Sequence, residues 1–209
     1  MTWIKICGIT SVADAVMAAA AGADALGLNF VPASKRVVDA VTAAHIADAV
    51  GDAVELIGVV ADRSLEDLEE LRETTGVSWL QLHGAEAPGD LAPLLPKAFK
   101  AVALADTADA QRALTFPGQR LLVDAKVQGE LGGTGQRFDW SLALPLTRER
   151  DLIVAGGLTP ANVAEAVRAI GPWGVDVASG VEHPGNPRQK DAARVQAFIA
   201  AVRAVRRQP

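Results

Sequence analysis

Short apolar runs alternate with stretches of helical spacing along the whole chain. The apolar runs, rich in β-branched and aromatic residues, fall at residues 3–7, 25–30, 56–60, 79–82, 99–103, 121–123, 152–155 and 175–178. Helical stretches follow them at 11–21, 42–50, 64–74, 91–94, 107–114, a short piece near 140–144, 160–170 and 191–205. Several open with residues that cap helices: Ser64 with Asp67 three positions on, and Thr159 followed by Pro160 at the first helical position.

The strands read as near-continuous apolar runs, the pattern of a parallel sheet buried on both faces. Strand and helix in regular alternation make an α/β fold. Eight such units favour closure into a (βα)8 barrel over an open sheet. The fourth and sixth helical stretches are the weakest and predict shortened helices. With no linker or low-complexity tract, residues 1–209 read as one barrel domain. Side chains alternate along a strand, so Lys5 and Cys7 face the same way, into the barrel. Asp176 on the neighbouring eighth strand has the same phase. A buried Lys5–Asp176 pair would settle the lysine's charge in the core.

Composition narrows the function. Aromatics are only 4% of the residues, so Ala, Val, Leu and Ile must fill the core. A net charge of −5 argues against nucleic acid or an anionic membrane as partner. An anionic ligand therefore needs a site of its own. Cys7 is the single cysteine, which excludes an intrachain disulfide and a cysteine-cluster metal site. The chain opens with no basic stretch leading into an apolar segment, and the Ala-rich run at 18–25 is interrupted by Gly22 and Asp24. The expectation is a cytoplasmic protein without a signal peptide. No long exposed apolar stripe is evident, so a monomer is expected.

In a barrel the functional groups belong at the C-terminal ends of the strands. Cys7 ends strand one in Lys5-Ile6-Cys7-Gly8-Ile9-Thr10. A lone cysteine is more often a small buried hydrophobe, but at a strand end, with glycine beside it, a thiol can serve as base or nucleophile once its pKa is lowered. Asp124 closes strand six in Leu122-Val123-Asp124-Ala125; it is either a turn cap or an acid that requires partial burial. Gly132-Gly133-Thr134-Gly135, Gly156-Gly157 and Ser179-Gly180 form a third group. Two of these follow strands seven and eight, the usual phosphate position in this fold. Arg36 follows strand two, and His83 ends strand four; either also fits a satisfied loop residue. His45 and His183 suggest no role. The chain lacks a GxxxxGK loop, an HExxH pair, a GxSxG elbow and a GxGxxG after strand one, which weakens nucleotide-driven, zinc-hydrolytic and dinucleotide-linked chemistry.

Six segments, in order, resemble the signature segments of phosphoribosylanthranilate isomerases: Lys5-Ile6-Cys7-Gly8-Ile9-Thr10, Gln81-Leu82-His83-Gly84, Leu122-Val123-Asp124-Ala125, Gly132-Gly133-Thr134-Gly135, Ala155-Gly156-Gly157-Leu158 and Ala178-Ser179-Gly180-Val181-Glu182. The resemblance implies Cys7 as general base and Asp124 as general acid, with no metal or organic cofactor. It places Arg36 and His83 on the anthranilate side and the glycine loops, Gly132, Gly133, Gly156, Gly157, Ser179 and Gly180, on the phosphate. The implied substrate is phosphoribosylanthranilate, isomerised during tryptophan biosynthesis. The chain departs from the family at Lys35, where a proline is usual, and in the stretch 184–189, which is longer than usual.

In a closed barrel strands seven and eight separate strand six from strand one. A phosphate on their loops puts Asp124 and Cys7 on opposite flanks of the ribose, and the aromatic ring points across to strands two to four. Other phosphate-binding barrels fit less well. An indole-glycerol-phosphate synthase would need a catalytic lysine and an N-terminal extension, and a histidine-pathway isomerase a carboxylate where Cys7 stands. A barrel that only binds a sugar phosphate leaves the pairing of Cys7 with Asp124 unused.

Overall fold

The structure, a computed structural model, describes residues 1–124 and 142–205. Eight parallel strands close into a barrel in sequence order: β1 (Trp3–Cys7), β2 (Ala25–Asn29), β3 (Glu55–Val60), β4 (Trp79–Leu82), β5 (Ala98–Ala103), β6 (Arg120–Asp124), β7 (Asp151–Ala155) and β8 (Gly174–Val177). Helices α1 (Val12–Ala20), α2 (Ala40–Val50), α3 (Leu65–Thr75), α4 (Pro88–Leu91), α5 (Thr107–Leu114), α6 (Val163–Ile170) and α7 (Ala192–Arg203) lie between and after them. The weak fourth helix is indeed short, four residues continued by a 3-10 turn at Ala92–Leu94. After β6 the described residues hold a 3-10 turn at Leu144–Arg148; part of the expected 140–144 helix lies outside them.

The continuous apolar strands divide into two cores. Ile4, Ile6, Leu26, Leu28, Leu80 and Val175 face outward and pack with the helices. Ala25, Ile57, Phe99, Leu122 and Ile153 face inward and fill the barrel. Both faces of each strand are thus desolvated, which explains why the sequence shows little alternation.

Local chemistry sets the helix starts. Ser64 and Asp67 form the expected capping box on α3. Asp39 accepts from the Thr42 amide and starts α2 two residues before the position expected from spacing alone. Thr159–Pro160 does not start α6, which begins at Val163. The Asn162 side chain turns back to accept from the Thr159 amide at 2.7 Å and to donate to the Gly157 carbonyl at 3.0 Å, so residues 160–162 form a turn. The longer stretch at 184–189 is not a plain loop. It carries an antiparallel hairpin, β9 (Glu182–His183) with β10 (Asn186–Lys190).

At the N-terminal mouth Arg120 crosses from β6 to Glu55 on β3 with two hydrogen bonds of 2.8 and 3.0 Å. Its guanidinium carbon lies 3.8 Å from the ring centre of Trp79, 4.8 Å from Trp173 and 5.3 Å from Trp3. Three indoles and an ion pair close the end of the barrel away from the candidate chemistry. Arg120→Ala is expected to cost about 2 kcal/mol in urea unfolding, from lost cation–π contact and packing. An unchanged denaturation midpoint would show that the aromatic ring closes the mouth without it.

Candidate active site

The sequence-predicted residues meet at the opposite mouth. Cys7 ends β1, and the residue two places before it, Lys5, is fully buried inside the barrel. The Lys5 Nζ donates to Asp176 Oδ1 on β8 and to Gln81 Oε1 on β4, each at 3.0 Å. Lys5 and Asp176 are register partners across β1 and β8, as their inward phase predicts. Gln81 is the partner that sequence reasoning missed. It shares the inward phase of β4 with His83, so period-two alternation held the signal.

Gly27 on β2 makes this crowding possible. A Cβ there would lie 2.8 Å from Cys7 Sγ and 2.9 Å from Lys5 Cε. The lysine also reaches the thiol, so Cys7 sits between two opposed effects. Burial pushes the thiol up, while the Lys5 ammonium, and more weakly that of Lys190, favours the thiolate; the balance is upward. Burial pulls Lys5 down, but Asp176 and the Cys7 sulfur outweigh it and hold the lysine above its ordinary range. The expected lowering of the thiol by its environment is therefore overridden. Cys7 is a thiol at neutral pH and, once ionised, a stronger base than an exposed cysteine.

Asp124 ends β6, half-buried, with Ala103 and Ala155 as register partners on β5 and β7. The strand order puts β7 and β8 between it and Cys7. Their loops are the two glycine segments. Gly156 and Gly157 both adopt positive φ, 94° and 62°. Gly180 is required by proximity instead: a Cβ there would collide with the Leu158 carbonyl oxygen, so the two loops pack backbone to backbone. Among the described residues the amides of Gly157 and Ser179 donate to no carbonyl or side chain. Gly132 and Gly133 lie outside the described residues.

His83, after β4, is exposed, its Nδ1 3.4 Å from Gln81 Nε2. Its loop is fixed by Glu86, which accepts from the Gly84 amide at 2.9 Å and pairs with buried Lys100 at 3.1 Å. Arg36 follows β2, and its guanidinium reaches across toward the segment after β8. Its side chain crosses the backbone after β1, so close that a Cβ on Gly8 would meet Arg36 Cδ. It pairs with Glu182 beyond β8 through Nε at 2.6 Å and Nη2 at 3.0 Å. A buried carboxylate two strands away outcompetes solvent for the guanidinium. Glu182 had appeared only as the end of a motif, and Lys190 only as the residue after the long stretch 184–189, with no role.

Cys7 is the only cysteine, so alkylation reads its ionisation directly. The rate with iodoacetamide should titrate above the ordinary thiol value of about 8.5. Removing Lys5 and Asp176 together (K5M/D176N) should move the midpoint further up, because the lysine acts on Cys7 more strongly than the aspartate. A midpoint below the ordinary value, or one indifferent to that double change, would contradict this balance.

Comparison with known proteins agrees with the geometry. The family profile described as N-(5'phosphoribosyl)anthranilate (PRA) isomerase matches residues 4–201. The N-(5'-phosphoribosyl)anthranilate isomerase of Roseiflexus castenholzii is 44% identical over 217 residues, covering 98% of this chain and 99% of that one. The crystal structure of phosphoribosyl anthranilate isomerase from Thermotoga maritima is similar with a TM-score of 0.89 at 36% identity, covering 98% of this chain and 100% of that one. A phosphoribosyl anthranilate isomerase crystallised with reduced 1-(o-carboxyphenylamino)-1-deoxyribulose 5-phosphate matches with a TM-score of 0.86 at 33% identity, over 98% of this chain and 100% of that one. With strand order, site segments and full-length similarity in agreement, the chain belongs to the N-(5'-phosphoribosyl)anthranilate isomerase family.

Proposed function

We propose that Cys7 and Asp124 are the base and the acid with which this chain converts N-(5-phosphoribosyl)anthranilate to 1-(2-carboxyphenylamino)-1-deoxyribulose 5-phosphate, a step of tryptophan biosynthesis. The observation that carries the assignment is the order Asp124, glycine loops, Cys7 around the barrel mouth. Phosphate accepts hydrogen bonds from amides near Gly157 and Ser179–Gly180. The ribose then lies between the two side chains, and Arg36 and His83 take the anthranilate end. Fixing both ends orients the sugar and lowers the barrier.

The Asp124 carboxyl donates its proton to the ribose ring oxygen. The C1–O bond breaks as the anthranilate nitrogen lone pair forms the iminium. The Cys7 thiolate removes the proton from C2, and that electron pair forms the C1–C2 double bond while the iminium electrons return to nitrogen. The enol hydroxyl at C2 loses its proton and C1 gains one, leaving the ketone. No electrons leave the substrate, and the protein exchanges only protons.

Burial that raises the Cys7 thiol serves this step, since a stronger base removes a carbon-bound proton faster once ionised. The same shift reduces the thiolate fraction near neutrality. The whole chain, residues 1–209, acts as one barrel domain, monomeric and cytoplasmic, on a small-molecule substrate. Among the described residues no helix is long and apolar enough to cross a membrane.

Loss of anthranilate-type fluorescence from freshly made phosphoribosylanthranilate tests the reading. Cys7→Ala and Asp124→Asn should each lower kcat by about 10²–10⁴, the usual effect of losing a positioned acid or base. Cys7→Ser should be nearly as poor, because a serine hydroxyl is too weak an acid to supply an alkoxide. The alkaline limb of the wild-type kcat profile should lie above the ordinary thiol value of about 8.5, because burial raises Cys7. Full activity of Cys7→Ala, purified free of host isomerase, would rule out the two-residue mechanism.

A further inference from the structure

The crossing of Arg36 over Gly8 has a mechanical cause in the β9–β10 hairpin. Glu182 is buried at the start of β9 and receives Arg36 through two of its three guanidinium nitrogens. Its Oε1 also accepts from Lys190 Nζ at 3.1 Å, and that ammonium, buried at the end of β10, donates to the Ala178 carbonyl at 3.1 Å. The hairpin grips the Arg36 loop a second time. Arg188 Nη1 donates to the carbonyls on either side of Arg36, those of Val37 at 2.9 Å and Lys35 at 3.4 Å. The hairpin is tied in turn to the β1 loop, where Thr10 Oγ1 donates to the Arg188 carbonyl, and to the first turn of α1, where the Lys190 amide donates to Asp14 Oδ2 at 3.0 Å.

One carboxylate thus holds two cations, leaving a surplus positive charge beside Cys7 in a chain whose net charge is −5. The Glu182 fork fixes the plane of the Arg36 guanidinium and leaves Nη1 as the donor not used by Glu182.

We propose that Glu182 is a positioning residue for substrate recognition: it aims Arg36, through the β9–β10 hairpin, at the benzoate carboxylate of the substrate. This rests on the isomerase reading above and extends it to a residue that does not itself meet the reacting atoms. Neutralising Glu182 frees the guanidinium plane, so the penalty falls on carboxylate recognition and spares the ribose and phosphate contacts.

The test uses two stable ligands measured by calorimetry on the full chain: reduced 1-(o-carboxyphenylamino)-1-deoxyribulose 5-phosphate and its counterpart lacking the ring carboxylate. Glu182→Gln should weaken the carboxylated ligand about tenfold, the scale of one lost charge-assisted contact, and leave the other unchanged. It should raise KM for phosphoribosylanthranilate while kcat stays within about threefold. In an Arg36→Ala background Glu182→Gln should add nothing further for the carboxylated ligand. If Glu182→Gln does not fold, because Lys190 is left buried without its partner, Glu182→Gln with Lys190→Met removes both charges and carries the same expectation. Equal weakening of both ligands, or full additivity with Arg36→Ala, would make Glu182 merely structural and overturn the proposal. Failure of the wild type to bind either ligand would overturn the isomerase reading and this inference with it.

Discussion

A lysine fully buried inside an eight-stranded barrel must be neutralised where it stands, and the active mouth is arranged around that requirement. Lys5 meets Asp176 across the β1–β8 seam, the seam where the first and last strands close the sheet. Gln81 takes a second of its protons from across the interior. The pair fixes closure and chemistry together, because the same ammonium reaches Cys7. Since Lys5 is held above its ordinary value, its contribution to stability is fully present below the unfolded lysine value of about 10.4. It is lost only as pH rises through the folded value. Through neutral pH, where Cys7 is still a thiol, the barrel stays fixed.

Two opposite electrostatic problems are solved at the two ends of the strands. At the N-terminal mouth the guanidinium of Arg120 is neutralised by Glu55 and enclosed by indoles. At the C-terminal mouth Lys5 is neutralised, but the cluster of Arg36, Lys190 and Glu182 retains excess positive charge. A doubly anionic sugar phosphate with a benzoate arm is therefore met by local charge in a protein whose overall field repels it. Buried clusters of this kind are held by geometry, since each charge would be costly if its partner moved.

Most of the architecture was legible in the chain because the strands are buried on both faces. All eight strands lie within one residue of the apolar runs that foretold them, and the inward phase of Lys5 and Asp176 sufficed to pair them. Legibility failed where the outcome depended on contacts distant in sequence. Thr159 and Pro160 look like a helix start, yet Asn162 turned its amide back and delayed α6. Arg36 followed β2 in sequence, but its partner lay 146 positions on, in a hairpin whose polar residues carry no periodic signal. Cys7 was found by position; the direction of its ionisation was not, because desolvation against a nearby ammonium depends on how completely the barrel encloses both.

The indole closure at the N-terminal mouth also separates two optical signals. Of the chain's four tryptophans, Trp3, Trp79 and Trp173 surround Arg120 at the far end from Cys7 and Asp124. A strand of five residues sets the two ends about 17 Å apart. Ultraviolet emission from these indoles thus reports whether the barrel floor is intact, while an anthranilate fluorophore reports the other mouth. The gap is short enough for excitation energy to pass from one to the other, so a bound aromatic ligand quenches the floor without touching it. With Trp140 replaced by Phe so that only these three indoles emit, a single cuvette then distinguishes an empty folded barrel, an occupied one and an unfolded chain.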